Sequence, residues 1–238
     1  MKKKTLVVIP AYNEEKNIAE LIRRTLPYGD VCVVNDASVD GTEKIVRAFA
    51  EVKCITHLKN THIPQTVLDG MRYAVDNRYN YIITMDAGLS HKPEELPLFI
   101  DAPDCDLVLG YRVMRENTPL YRKILSRLGT MLINFALRPI GSKLPPARFR
   151  DVTSGFRRYS FKAAELLLSR ELKSKSFDFL TEALMIIYRG RLSIQEVPVS
   201  YAFSNSSLRM KVVMQSLHML LDMLLTKRKQ NIGVNSQN

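Results

Sequence analysis

Short apolar runs alternate with amphipathic stretches through the first 110 residues. The run at 5–9 (TLVVI) predicts a strand ended by Pro10. A second strand falls at 31–34, Val-rich and without alternation, as a strand covered on both faces would be. Between them Ile18, Leu21 and Ile22 recur at helical spacing and predict a helix over 14–26, with Asn13 as its N-cap. The alternation continues with a helix over 43–50, a strand over 53–57, a helix over 67–77 and a strand over 81–85. A helical segment over 94–101 follows Pro93, and a strand covers 107–110. Strands separated by helices predict right-handed βαβ units, an α/β fold and a mostly parallel sheet flanked by helices.

In the second half, residues 119–137 have helical spacing, with Arg122, Lys123 and Arg127 at one end and Leu128, Met131, Leu132 and Phe135 beyond. A helix is expected over 177–189 and a closing strand over 192–201. Residues 212–225 are apolar except for Gln215, Ser216, His218 and Asp222, and Lys227, Arg228 and Lys229 follow. This pattern predicts an amphipathic, basic interface helix over 211–229 that meets anionic headgroups, then a disordered polar tail over 230–238. No run reaches the roughly 18 uninterrupted apolar residues that a span requires.

Composition narrows the partners. The 238 residues carry a formal net charge of +11, which favours a polyanion. Phosphorylated substrates and an anionic membrane surface both qualify; nucleic acid is not expected, because the basic residues lack interleaved aromatics. Cys32, Cys54 and Cys105 are widely spaced and read as reduced thiols, with neither a disulfide frame nor a zinc site. The basic start precedes an apolar run too short for a signal peptide. The expected location is cytoplasmic, peripheral on the cytoplasmic face of a membrane.

Candidate chemistry sits where strands run out. Asp86 follows the strand at 81–85, Glu14 follows Pro10, and Asp36 follows the strand at 31–34. Loops after successive parallel strands share one edge, so these three carboxylates are expected to converge. A carboxylate there can hold a divalent cation against a phosphate. Neither GxGxxG nor GxxxxGK[ST] occurs, so a dinucleotide fold and a P-loop are unsupported. A nucleotide without a glycine cradle must be held by its base, its ribose and a metal.

Five segments occur in order: Pro10-Ala11-Tyr12-Asn13-Glu14, Asn35-Asp36-Ala37-Ser38-Val39-Asp40-Gly41-Thr42, Asp86-Ala87-Gly88-Leu89-Ser90-His91-Lys92-Pro93-Glu94, Gly110-Tyr111-Arg112 and Asp151-Val152-Thr153-Ser154-Gly155-Phe156. Together they resemble family 2 glycosyltransferases, in the dolichyl-phosphate mannose synthase-like, polyprenyl-phosphate glycosyltransferase branch, over about residues 4–210. The resemblance implies a GT-A (Rossmann-like) domain over 1–210. It implies inverting transfer of a hexose from a nucleotide-sugar (GDP- or UDP-hexose) to a polyprenyl (dolichyl or undecaprenyl) phosphate. By the same resemblance, Pro10, Tyr12 and Glu14 line the nucleoside pocket, Asp36 contacts the base, and Asp86 meets the diphosphate and a Mg²⁺ or Mn²⁺ ion. Arg112, Arg122 and Ser126 then bind the acceptor phosphate, and the apolar helix beside them touches the bilayer. Arg209 lies in a segment that closes over the diphosphate. Asp151 and Glu182 take supporting roles, Asp178 caps a helix, and His62 and His91 read as loop residues.

The chain departs from the family pattern at three places. It has Asp86-Ala87-Gly88 for Asp-x-Asp, Asn35-Asp36 for Asp-Asp, and His62-Ile63-Pro64 where a glycine-rich turn is usual. Two other readings share the fold: transfer to a different acceptor hydroxyl, and a catalytically reduced scaffold that binds nucleotide or lipid.

Overall fold

The computed structural model describes residues 3–116, 118–137, 148–176 and 178–202. Its first half alternates as the apolar pattern requires: β1 (Thr5–Ala11), α1 (Ile18–Thr25), β2 (Asp30–Asn35), α2 (Thr42–Arg47), β3 (Lys53–Thr56), α3 (His62–Asp76) and β4 (Tyr81–Thr84). A 3₁₀ turn (Pro93–Glu95) leads into α4 (Leu96–Ile100) and then β5 (Leu107–Glu116). The second half holds α5 (Leu120–Ala136), β6 (Arg157–Ser160), α6 (Phe161–Leu168), α7 (Phe179–Arg189) and β7 (Ile194–Ala202). The expected interface helix over 211–229, the tail over 230–238 and Arg209 lie outside the described residues.

The strands form one sheet in the order β3-β2-β1-β4-β6-β5-β7. All neighbours are parallel except β6, which runs against both β4 and β5. Because β6 is reversed, the loop entering it lies at the edge where β1, β2, β4 and β5 end. Register makes this explicit: Thr84 of β4 and Leu109 of β5 both stand opposite Arg157.

Helices cover both faces. Ile18, Leu21, Ile22, Val46, Leu96 and Phe99 close one side over Val7, Ile9 and Val33. Met71, Ala74, Ala163, Leu167, Phe179 and Leu184 close the other over Leu6, Val8 and Ile82. The approach of α3 to β1 needs a residue without a side chain: a Cβ on Gly70 would fall 2.3 Å from a Val8 methyl.

Three local differences from the sequence pattern have physical reasons. Pro10 does not end β1, which runs to Ala11. Pairing with β4 stops at Val8↔Thr84, and Pro10 pairs only with Val34 of β2, so its missing N–H breaks no bond to β4. The first helix runs from Ile18 and not from 14; the turn before it is closed by Asn17 and Ile18 N–H on Glu14 O at 3.0 and 2.9 Å, and Asn13 ahead of that turn is left-handed (φ 56°). Its side chain accepts from Val39 N–H at 2.9 Å while its own N–H donates to Ser38 Oγ at 2.9 Å, fixing it to the loop after β2. Finally, β6 and α6 occupy a stretch to which the pattern assigned no elements.

Candidate functional site at the carboxyl edge of the sheet

The loops that follow β1 and β2 are tied together by short polar contacts. Glu14 N–H donates to Thr42 Oγ1 at 2.8 Å, Glu15 N–H to Asp40 at 3.2 Å, and Gly41 N–H to Glu15 at 2.8 Å. Among the described residues, left-handed backbone at Asn13, Ala37, His62 and Leu89 falls in these and the next two strand-end segments. Local strain of this kind collects where a structure holds loops for function. Pro10 ends in this wall, half-buried, and Tyr12 stands beside it, 48% exposed.

Burial raises the pKa of the Glu14 carboxyl; a hydrogen bond from Asn17 opposes this, and the neighbouring carboxylates of Asp40 and Asp86 reinforce it. Asp36 is almost fully buried and is used to build the wall. Its Oδ1 accepts from Thr61 N–H at 2.7 Å and Thr61 Oγ1 at 2.9 Å, and lies 2.8 Å from His57 Nδ1; Oδ2 accepts from His62 N–H at 2.8 Å. Burial alone would raise this carboxyl, but the hydrogen bonds overcome it and hold its pKa below the usual range. The other nitrogen of His57, Nε2, lies 3.1 Å from Asp69 Oδ2, so one imidazole links the end of β2 to α3.

Asp86 lies two residues past the end of β4, half exposed. Directly across is Gly155, where a Cβ would fall 2.9 Å from Asp86 Oδ1. Thr84 Oγ1 donates to Gly155 O at 2.8 Å, and Gly110 N–H to Phe156 O at 2.9 Å, so the 151–156 loop is sewn to the ends of both β4 and β5.

The same loop holds Arg112. Arg112 Nε donates to Asp151 Oδ2 at 2.7 Å and Nη2 to Asp151 Oδ1 at 3.0 Å, a bidentate pair. Arg112 Nη2 also reaches Ser126 Oγ at 3.2 Å and the Thr153 hydroxyl, and Ser126 and Thr153 lie 2.9 Å apart. Burial works against the charge on Arg112, but Asp151 outweighs it and keeps the guanidinium protonated. Arg112 and Ser126 therefore lie side by side. Arg122 lies on α5 one turn before Ser126, with its side chain outside the described set.

Other expected residues are placed differently. Glu182, buried, accepts from Lys173 N–H at 2.9 Å and Ser174 N–H at 2.8 Å, so it fastens a loop. Asp178 sits at the N-cap position of α7, but its carboxylate accepts from Ser176 N–H at 2.6 Å and Lys175 N–H at 3.3 Å, outside the helix. His62 opens α3 with a left-handed backbone (φ 67°).

The sequence reading missed His91 as a core residue. The ring is 1% exposed, stacked 5.0 Å from Phe156 and tilted 5.6 Å from Tyr201. Its Nδ1 lies 3.8 Å from Asp86 Oδ2 and, among the described residues, has no hydrogen-bond partner. Burial lowers its pKa, against the pull of Asp86, and favours a neutral ring. Arg157 was missed as well. Fully buried, it donates to Ser154 O at 2.9 Å, Val152 O at 2.6 Å and Leu180 O at 2.6 Å, shaping the 151–156 loop from beneath.

With this geometry established, comparison with known proteins gives a consistent result. The family model for glycosyl transferase family 2 matches residues 6–167. The chain is 30% identical over 233 residues to a dolichol-phosphate mannosyltransferase of Pyrococcus furiosus, covering 90% of this chain and 62% of that protein. It is 28% identical over 212 residues to the polyprenol monophosphomannose synthase of Mycolicibacterium smegmatis, covering 83% and 77%. It is 28% identical over 229 residues to a UDP-N-acetylglucosamine–dolichyl-phosphate N-acetylglucosaminyltransferase of Methanococcus voltae, covering 85% and 87%. In fold it is similar to glucosyl-3-phosphoglycerate synthase of Mycobacterium tuberculosis bound to uridine diphosphate. The TM-score is 0.69 at 16% identity, over 93% of this chain and 80% of that one.

Proposed function

The chain belongs to glycosyl transferase family 2, and from that membership we propose that it moves a hexose from a nucleotide-sugar to a polyprenyl phosphate at a membrane surface. The observation that carries this reading is the 151–156 loop, which abuts Asp86 on one side and grips Arg112 on the other. Donor and acceptor groups thus share one sheet edge.

On the donor side, Pro10, Tyr12, Glu14 and Asp36 form the nucleoside wall and Asp86 faces the diphosphate. A Mg²⁺ or Mn²⁺ ion fits there only with help. The carboxylate suits a hard cation, but among the described residues no cluster of three His, Cys, Asp or Glu groups could hold a metal. The diphosphate must complete the shell, and the ion would neutralise charge on the departing nucleoside diphosphate. On the acceptor side, Arg112, Arg122 and Ser126 receive the lipid phosphate. Asp151 and Thr153 hold the Arg112 fork in place, as preorganised positioning requires. Arg209, in a segment closing over the diphosphate, adds positive charge in this reading.

The reaction needs little base catalysis, because a phosphate monoester is already anionic at neutral pH. Its oxygen attacks the anomeric carbon in line as the bond to the nucleoside diphosphate breaks, which inverts the configuration. The three sequence relatives support the acceptor class, since their names specify dolichyl, polyprenol or dolichol phosphate. The exposed apolar stripe of α5 supports the membrane surface.

The test is transfer of labelled sugar from UDP- and GDP-hexoses to dolichyl and undecaprenyl phosphate, with and without Mn²⁺. Lipid-linked sugar is expected, and Asp86→Ala should abolish it. Tight nucleotide binding without transfer would favour the scaffold reading, which the glycine at position 88 keeps in view.

A further inference from the structure

We propose that His91, through Nδ1, supplies the second protein ligand of the cation at Asp86, taking over from the carboxylate that position 88 lacks. This rests on the donor-side reading above and adds a nitrogen to a site otherwise built of oxygens.

Three observations converge. Nδ1 is a buried polar atom without a hydrogen-bond partner among the described residues, which a native interior rarely leaves unexplained. It faces Asp86 Oδ2 at 3.8 Å. And the chain carries Gly88, which offers no ligand from its side chain.

The distance is compatible with a shared ion. With metal–ligand bonds of about 2.1 Å, adjacent ligand atoms are about 3.0 Å apart in an octahedral shell and about 3.4 Å apart in a tetrahedral one. Closing from 3.8 Å takes less than about 1 Å of movement. That movement belongs to Asp86, whose side chain is 44% exposed, while His91 is wedged between Phe156 and Tyr201. Gly155 limits the carboxylate on its Oδ1 side, which leaves Oδ2 turned toward the imidazole. A mixed nitrogen and oxygen shell moves preference away from Mg²⁺ and toward transition ions.

The experiment is electron spin echo modulation on the full chain with Mn²⁺ and either UDP or GDP, using protein grown with ¹⁴N- or ¹⁵N-histidine. A directly bound nitrogen whose signal changes with the label is expected, and it should vanish in His91→Phe, which keeps the stacked ring. Mn²⁺ affinity of the nucleotide complex should fall at least about tenfold in that variant. His91→Gln, which keeps a polar side chain, should also lose the nitrogen signal and serves if the Phe variant does not fold. Mn²⁺ bound with nucleotide but showing no histidine coupling, or a coupling that survives both variants, overturns the proposal and leaves the donor site standing. Failure of Mn²⁺ to bind with either nucleotide, or binding unchanged by Asp86→Ala, overturns both.

Discussion

Arg157 and Gly155 decide how well the two halves of the site hold together. Arg157 directs its donors to three backbone carbonyls, two of them in the loop that faces Asp86 and Arg112. Replacing it by Met leaves those acceptors buried and unmatched, so denaturant unfolding should show a loss of about 3 kcal/mol or more. Lys at the same position keeps the charge but not the planar fork. Arg157→Lys should fold, bind nucleotide with little change and lose turnover. Gly155→Ala is a finer probe, because its new methyl meets Asp86 Oδ1 at 2.9 Å while the surrounding core is untouched. A misplacement near 1 Å costs about 100-fold in rate, so kcat should fall by about that much with the thermal midpoint nearly unchanged. Wild-type kcat in Gly155→Ala would show that Asp86 does not need its present position.

Among the elements, the segment from β3 to α3 depends on one carboxylate. Asp36 gathers Thr61, His62 and His57, and Asp36→Asn would turn an amide NH₂ toward groups that already donate. The expected cost is about 1–3 kcal/mol in thermal unfolding. The sign with pH follows from a folded pKa held below the ordinary value of 3.8. The contribution is complete above that value and is lost as pH falls through the lower folded value, so acid should erase the gap between wild type and variant. A gap that persisted into strong acid would mean that the Asp36 charge does not set it. How much was legible beforehand differs by element. The strands β1, β2 and β4 are short apolar runs, and Glu14, Asp36 and Asp86 were readable from strand ends that share one edge of a parallel sheet, whereas Arg112 and Ser126 came only with the family resemblance. The strand β6 (RRYS) was not legible, because two arginines look like surface. Their burial depends on distant carbonyls, at Leu180 for Arg157 and at Phe99, Ala102 and Pro103 for Arg158. His91 was hidden in the same way: its neighbours Phe156 and Tyr201 arrive from two other segments.

At the scale of the whole molecule, the exposed apolar side of α5 and the net positive charge bear on the proposed membrane contact. Helix α5 docks through Ile133 and Ala136, while Leu120, Tyr121, Ile124, Leu128, Met131, Leu132 and Phe135 remain exposed at helical spacing. Among the described residues no helix is long and apolar enough to cross a membrane. A partly exposed apolar stripe and a formal charge of +11 suit an interfacial attachment with two contributions. The electrostatic part is screened over about 8 Å at physiological salt, and the apolar part is not. Sedimentation with anionic vesicles should therefore fall as salt rises and level off above zero. Replacing Leu128, Met131 and Phe135 together by Ser removes about 1 kcal/mol of burial each, so partitioning should drop about 100-fold. Nucleotide affinity should not change, because the donor wall belongs to β1, β2 and β4 on other parts of the sheet. Transfer to a lipid phosphate presented in detergent should survive in the triple variant, while transfer in vesicles should fail. Vesicle binding unaffected by those three serines would place the membrane contact elsewhere and leave the α5 stripe to cover another protein surface.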